Sequence, residues 1–295
     1  MPDIAFWNKC NNKCVMCTNE GGFALNDSAH YGLESQVKKL ERYLLGQGQV
    51  YLKNDDKPGF VSLTGGEPTI HPDFFRLLAY FRRRLPGLGI TLLSNGRRFS
   101  DAAFARRFLR IASPPFAVAV PVHASGPALH DRIAGVKGAY AQTMAGLDNL
   151  FSGGGGVAVE IRLVLHRLNI KELPKTLAFL LSKFQDTARY RVTAIHYEIE
   201  GMSLENHRRL ALRLRGSAAV LGAALPLIKR FKHFRLYHFP RCAVRRELRP
   251  LCRVTLPRED RVYTEKCSGC AERRGCLGLM AEYYKAFGGE ELRKL

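Results

Sequence analysis

No apolar stretch in the 295 residues is long enough to span a bilayer. The longest candidate, 218–228, is interrupted by Gly222 and Pro226 and reads as a packed helix. The N-terminus lacks a basic segment followed by an apolar one, so no secretory signal is expected and the chain is placed in the cytoplasm. Cysteine is absent between Cys17 and Cys242; three of the eight stand at the start and five near the end. That grouping, in a chain expected to be cytoplasmic, points to two metal sites rather than to disulfides. Acidic residues are also scarce, 26 against 46 basic, giving a formal charge of +20. Nine arginines between Arg76 and Arg110 face the single acid Asp101, and Arg241, Arg245, Arg246, Arg249 and Arg253 form a second concentration. Solvated helix faces account for such charge, and so does attraction to a polyanion, either an acidic peptide or RNA. Aromatic residues are not interleaved with these arginines as base-stacking platforms require, which favours the peptide over RNA.

What is present is more specific. Cys10, Cys14 and Cys17 form C-x3-C-x2-C. Three closely spaced thiolates can hold three irons of a 4Fe–4S cluster and leave the fourth open to a small molecule. Zinc or disulfides are the competing reading, although structural zinc sites close with four ligands and no fourth partner lies nearby. Downstream, Phe60–Leu63 reads as a buried strand leading to Gly65-Gly66-Glu67-Pro68, and Gly89–Leu93 as another ending at Ser94-Asn95-Gly96. Paired glycines admit a close backbone approach, and Pro68 fixes the turn.

These three segments, in this order, resemble the radical S-adenosylmethionine (radical SAM) superfamily. The resemblance implies a SAM-binding 4Fe–4S cluster on Cys10, Cys14 and Cys17. It implies SAM contacts at Gly65, Gly66, Glu67 and Pro68, and ribose contacts at Ser94 and Asn95. It also implies reductive cleavage of SAM to a 5'-deoxyadenosyl radical, fed by an external donor of flavodoxin or ferredoxin type. The fold it implies is α/β, a partial (β/α)6 TIM-like barrel, over residues 1–215, followed by a linker helix and a small cysteine-rich module over 216–295.

The residue patterns agree with that rhythm. Strands are predicted near 3–7, 60–63, 89–93, 116–122, 157–165 and 191–199, and helices over 32–45, 73–84, 101–110, 139–151, 172–184 and 203–215. Alternation in the fifth strand puts Val159, Ile161, Leu163 and Leu165 on one face and Glu160, Arg162 and His166 on the other. Arg162 is therefore a candidate clamp for the SAM carboxylate, with a structural ion pair as the alternative. In the sixth strand His196, Glu198 and Glu200 are expected to share a lumen-facing side, with Glu198 a candidate proton acceptor. His123 ends the fourth strand, before His130 and Asp131, where barrel enzymes place catalytic groups; loop capping is the other reading for this cluster.

The last five cysteines, Cys242, Cys252, Cys267, Cys270 and Cys276, resemble the SPASM and twitch auxiliary modules of peptide-modifying radical SAM proteins. A full SPASM module has seven, so one auxiliary 4Fe–4S cluster is implied, on Cys267, Cys270, Cys276 and Cys242, with Cys252 as the alternative fourth ligand and structural zinc as the alternative occupant. The stretches Val122–Ser125 and Val159–His166 are loosely similar to His-Xaa-Ser-system peptide maturases. With Cys10 so near the start, no leader-binding winged-helix domain is expected ahead of it. The leading expectation is a peptide- or protein-modifying enzyme; a radical SAM enzyme acting on a small molecule or RNA is the alternative, and a non-catalytic metal-binding nucleic-acid module a third.

Overall fold

The structure is a computed structural model that describes residues 3–19, 29–47, 59–154 and 156–295. Eight strands form one sheet in chain order: β1 (Asp3–Trp7), β2 (Phe60–Gly65), β3 (Gly89–Leu93), β4 (Phe116–Pro121), β5 (Ala158–Leu165), β6 (Tyr190–His196), β7 (Phe234–Tyr237) and β8 (Cys252–Arg253). The pairs β1–β2, β2–β3, β3–β4, β6–β7 and β7–β8 are parallel. The edge strands β1 and β8 do not pair with each other, so the partial, unclosed barrel layout holds, with two short strands more than the six predicted.

Helices α1 (Leu33–Leu44), α2 (Phe74–Arg84), α3 (Ala102–Ile111), α4 (Pro127–Ala134), α5 (Ala139–Ser152) and α6 (Leu173–Lys183) separate the first six strands. In α2, Phe74, Leu77, Leu78 and Phe81 are buried at the i, i+3, i+4, i+7 spacing of one helix face. Each such side chain contributes about 1.5–3 kcal/mol on leaving water. Phe6 of β1 meets Phe74 and Phe81 edge-on, which seats α2 on the sheet. Asp101 caps α3 by accepting from the backbone N–H groups of Ala103 and Phe104 at 2.8 and 3.2 Å.

The helix predicted over 203–215 is instead broken into α7 (Met202–Glu205) and α8 (His207–Leu210), with α9 starting at Leu214 (Leu214–Ala223). Asn206 sits at the break, its side-chain amide donating to the backbone oxygens of Val15 and Met202 at 3.1 and 3.0 Å. Leu210 is buried with Tyr197 and Ile199. Anchoring both ends to different neighbours overrides continuous helix. Beyond α9 come α10 (Leu225–Ile228), the antiparallel pair β9 (Arg261–Val262) and β10 (Leu279–Met280), and α11 (Ala281–Phe287).

Two compact units divide the chain. One comprises Met1–Lys13, Asn19–Pro121 and Ala134–Glu160; the other comprises Cys14–Thr18, Val122–Ile133 and Ile161–Leu295. Among the described residues no helix is long and apolar enough to cross a membrane.

Candidate active site and four-thiol cavity

In the first unit, the glycines after β2 are packed against the backbone that leads from β1 to Cys10. A Cβ on Gly65, whose φ is +113°, would lie 2.3 Å from the Trp7 oxygen, and one on Gly66 would lie 2.1 Å from the Lys9 oxygen. In return, Gly66 N–H donates to Trp7 O at 2.7 Å and Glu67 N–H to Lys9 O at 2.8 Å. The neighbour the two glycines admit in the structure is thus this chain's own cysteine-bearing segment.

Glu67 is buried, and its carboxylate ties the loop to the end of β3. Oε1 accepts from the Thr69 N–H and hydroxyl and from Ser94 Oγ at 2.8 Å; Oε2 accepts from Asn95 N–H at 2.6 Å. Burial pushes its pKa up, and these four donors oppose that shift. Pro68 opens a 3-10 turn over Pro68–Ile70 for which Glu67 is the cap. Asn95 Nδ2 donates to Asn11 Oδ1 at 2.6 Å, and Thr143 Oγ1 on α5 donates to Asn95 O at 3.0 Å. Arg97, which sequence patterns did not single out, closes the circuit. It donates to Asn11 O, to Asn12 Oδ1 at 2.8 Å and, through Nε, to Gln142 Oε1 at 2.6 Å. Asn12 N–H in turn approaches Cys10 Sγ at 3.4 Å. The three expected ligand and loop segments, Cys10 with Asn11 and Asn12, Gly65–Pro68, and Ser94–Asn95, are one hydrogen-bonded assembly.

In the second unit, Cys14 and Cys17 flank a turn in which Cys17 N–H donates to Cys14 O at 3.2 Å. Val15 N–H donates to Ile133 O at 3.0 Å, and Ser203 N–H donates to Cys17 O at 3.0 Å. Val15 and Met16 pack on the cluster of Tyr197, Ile199 and Leu210. Cys10, Cys14 and Cys17 form no disulfide and are half-buried. Thiolates are soft donors of the type iron–sulfur clusters take, and the Cys10 sulfur already receives an N–H.

In β5, Val159, Ile161, Leu163 and Leu165 are buried, and so are Glu160 and His166 of the expected polar face, while Arg162 is half-buried. In the sixth strand the expected alternation does not hold. β6 ends at His196, whose Nδ1 hydrogen-bonds Ser217 Oγ on α9 at 2.9 Å, so this histidine faces the helices. Tyr197 and Ile199 pack instead on the Val15–Met16 turn. The period of two stops where the strand stops, so the orientation of Glu198 is not set by it. Glu198 lies 3.3 Å from His238 Nε2. His238 was unmarked in the sequence: a non-glycine residue at φ +66°, its Nδ1–H donating to His196 O at 3.1 Å.

His123 is fully buried. Its backbone N–H donates to His130 Nδ1 at 3.2 Å, and Asn169 Nδ2 donates to its carbonyl at 3.2 Å. Burial first, then the nearby His130 and His166, hold the His123 imidazole well below the usual histidine range. Burial holds His130 and His166 down to about 4. His130 here caps the loop, and its ring lies 4.8 Å from that of His123.

In the tail, Cys242, Cys267, Cys270 and Cys276 line one small cavity that opens to solvent. The backbone N–H groups of Arg241 and Gly278 approach Cys276 Sγ at 3.4 and 3.5 Å. Cys252 is not part of that lining; its buried thiol lies 3.8 Å from Leu248 O, and burial pushes it up to about 12. Among the described residues, no three Cys, His, Asp or Glu side chains are drawn in closely enough to hold a single metal ion as they stand. Cys242 thus shares this lining with Cys267, Cys270 and Cys276, and Cys252 does not.

Many of the arginines between 76 and 110 have structural partners. Arg82 donates to the carbonyls of Leu85, Leu88 and Pro115. Arg84 grips Glu41 through two bonds of 2.7 and 2.6 Å. Arg98 and Arg107 lie over the rings of Phe104 and Phe75.

In a parallel α/β sheet, the segment leading to Cys10 is hydrogen-bonded to the Gly65–Pro68 turn that follows β2. The chain belongs to the radical SAM superfamily, which it matches over residues 4–180. It is 26% identical over 182 residues to the mycofactocin maturase MftC of Mycobacterium tuberculosis, covering 61% of this chain and 41% of that one. It is 24% identical over 178 residues to the Fe-coproporphyrin III synthase of Methanosarcina barkeri, covering 58% and 39%. Among solved structures, Streptococcus suis SuiB bound to its precursor peptide SuiA superposes with a TM-score of 0.56 at 14% identity, over 79% of this chain and 48% of that one. The protein anSMEcpe with bound AdoMet gives 0.55 at 17%, over 79% and 60%. The chain thus spans about 40% of the length of the curated relatives it matches.

Proposed function

We propose that this chain cleaves SAM reductively and modifies a peptide or protein substrate, as an oxidoreductase-type maturase of the cytoplasm. The observation that carries the reading is the hydrogen-bonded assembly of the Cys10 loop with Gly65–Pro68 and Ser94–Asn95. Cys10, Cys14 and Cys17 would hold a 4Fe–4S cluster, whose chemistry with SAM bound and an external flavodoxin- or ferredoxin-type donor would be the supply of a 5'-deoxyadenosyl radical. The backbone of Gly65 and Gly66 meets the SAM amino group, with Glu67 and Pro68 fixing that turn. Ser94 and Asn95 receive the ribose, and Arg162 clamps the carboxylate. Glu198, beside His238, takes a proton from the substrate. His123, buried and neutral, holds the loop after β4.

The module over 216–295 holds an auxiliary 4Fe–4S cluster on Cys242, Cys267, Cys270 and Cys276. Its support is the four-thiol cavity with two N–H groups aimed at a sulfur, since hydrogen bonds to sulfur tune such clusters. The peptide substrate is supported by the similarity to MftC and by the shared fold with SuiB, whose structure contains a precursor peptide. A small-molecule substrate is the second reading, favoured by similarity to Fe-coproporphyrin III synthase and AdoMet-dependent heme synthase of Methanosarcina barkeri. The test is anaerobic reconstitution followed by SAM and dithionite. 5'-Deoxyadenosine should form with the wild-type chain and not with the Cys10→Ala/Cys14→Ala/Cys17→Ala variant. Mass spectrometry with short peptides encoded beside the gene, and with tetrapyrroles, then separates the two substrate classes.

A further inference from the structure

At the N-terminal ends of β6 and β7, an open groove is lined by six basic side chains, Arg191, Lys229, Lys232, His233, Arg235 and Arg253. The register explains part of the concentration. Thr193 pairs with Arg235 and Tyr237 with Arg253, so Arg191, Arg235 and Arg253 fall on one face of three adjacent strands. Lys229, Lys232 and His233 come from the turn that enters β7. The one acid in the lining, Glu247, is bonded to Arg245 at 3.0 Å. Among the described residues no carboxylate forms an ion pair with Lys232, Arg235 or Arg253. Arg253 is nevertheless held in place, donating to Pro250 O at 2.6 Å and Cys252 O at 3.2 Å. A fixed guanidinium facing a concave space without its own counter-charge is suited to a carboxylate from outside.

The rest of the lining is apolar: Leu225, Ile228, Phe231, Phe234 and Leu251. Phe231 and Phe234 are each only 6% exposed, so they are not rings on which nucleobases stack. Cations over an apolar floor match a chain segment that carries both carboxylates and apolar side chains.

We propose that this groove docks an acidic, partly apolar peptide segment. The proposal rests on the peptide-modifying reading and adds where the substrate is gripped. β6 has seven residues and so spans roughly 23 Å. A segment held at its N-terminal end leaves a neighbouring part of the same peptide free to reach Glu198 beyond the other end. Tethering one part raises the effective concentration of the other at the reacting position.

The test uses the reconstituted full chain and fluorescence anisotropy. The probe is a labelled peptide of glutamate and phenylalanine; the comparisons are the same peptide with glutamine for every glutamate, and a single-stranded oligonucleotide of equal charge. The acidic peptide should bind, more weakly as salt rises. Arg191→Gln/Arg235→Gln/Arg253→Gln should weaken it roughly tenfold, at the usual strength of exposed ion pairs. Lys229→Gln/Lys232→Gln, confined to an exposed turn, should weaken it roughly threefold and decides the matter if the triple variant does not fold. Equal binding of the glutamine peptide, tighter binding of the oligonucleotide, or unchanged affinity in the folded variants overturns the proposal. 5'-Deoxyadenosine formation is measured in parallel: its absence from the wild type sinks the radical SAM reading, whereas peptide binding alone decides the groove.

Discussion

Arg97 Nη1 donates to Asn12 Oδ1 at 2.8 Å, and Asn12 passes its own N–H toward Cys10 Sγ at 3.4 Å. An arginine 85 positions along the chain therefore orients the residue that hydrogen-bonds the first cysteine of the C-x3-C-x2-C motif. Hydrogen bonds to the sulfurs are one of the levers that set an iron–sulfur potential.

Arg97→Met removes the bonds to Asn11, Asn12 and Gln142 together. Hydrogen bonds from a charged donor contribute about 1.5–3 kcal/mol each, so the loop should loosen. Reconstituted Arg97→Met is expected to lose iron to a chelator faster than wild type and to show a more negative cluster potential, with Arg97→Lys between the two. Identical iron-loss rates and potentials would reduce Arg97 to a surface tie.

Much of the barrel was legible because parallel strands buried on both faces are continuous apolar runs. The first six fall within three residues of their predicted limits, and α2 within one. β7 and β8 were not, since four and two residues carry too little pattern. Cys10, Gly65–Gly66 and Ser94–Asn95 could be picked out by local spacing and turn chemistry. Arg97, Asn12 and His238 could not: their roles depend on partners tens of residues away. The alternation that assigned His196 and Glu198 to one face failed because β6 ends between them.

The buried histidines set an acid limit on stability. His130 and His166 are held down to about 4 by burial, against about 6.5 for an unfolded histidine. The unfolded chain therefore binds more protons between these values. Stability is complete above about pH 6.5 and falls as pH drops toward 4, by up to about 3 kcal/mol for each histidine. Urea midpoints measured across this window should fall with acidity, and less steeply in His166→Gln. A midpoint indifferent to pH there would contradict the burial of these rings.

Arg162→Met tests the carboxylate clamp. Loss of a charge-assisted contact should weaken SAM binding by about 1.5–3 kcal/mol, read as the dissociation constant of the reconstituted protein. Thermal unfolding without SAM should change little, because Arg162 is only half-buried. An unaltered dissociation constant would leave Arg162 a structural residue.

The tail cysteines give the sharpest contrast within one module. Cys242 lines the four-thiol cavity, whereas the Cys252 thiol is buried outside that lining and pushed up to about 12. Burial raises the Cys242 thiol as well, so the contrast rests on placement: Cys242 shares its cavity with three other thiols and Cys252 does not. Cys252→Ser should keep the iron content of the reconstituted chain, roughly eight per molecule for two 4Fe–4S clusters. Cys242→Ser should lower it and also reduce the thermal stability of the module, since ligation energy feeds into the folding of small cysteine-rich segments. Iron near four with stoichiometric zinc in the wild type would make the tail a structural zinc site. The reverse pattern, with iron lost in Cys252→Ser and kept in Cys242→Ser, would move the fourth ligand out of the cavity.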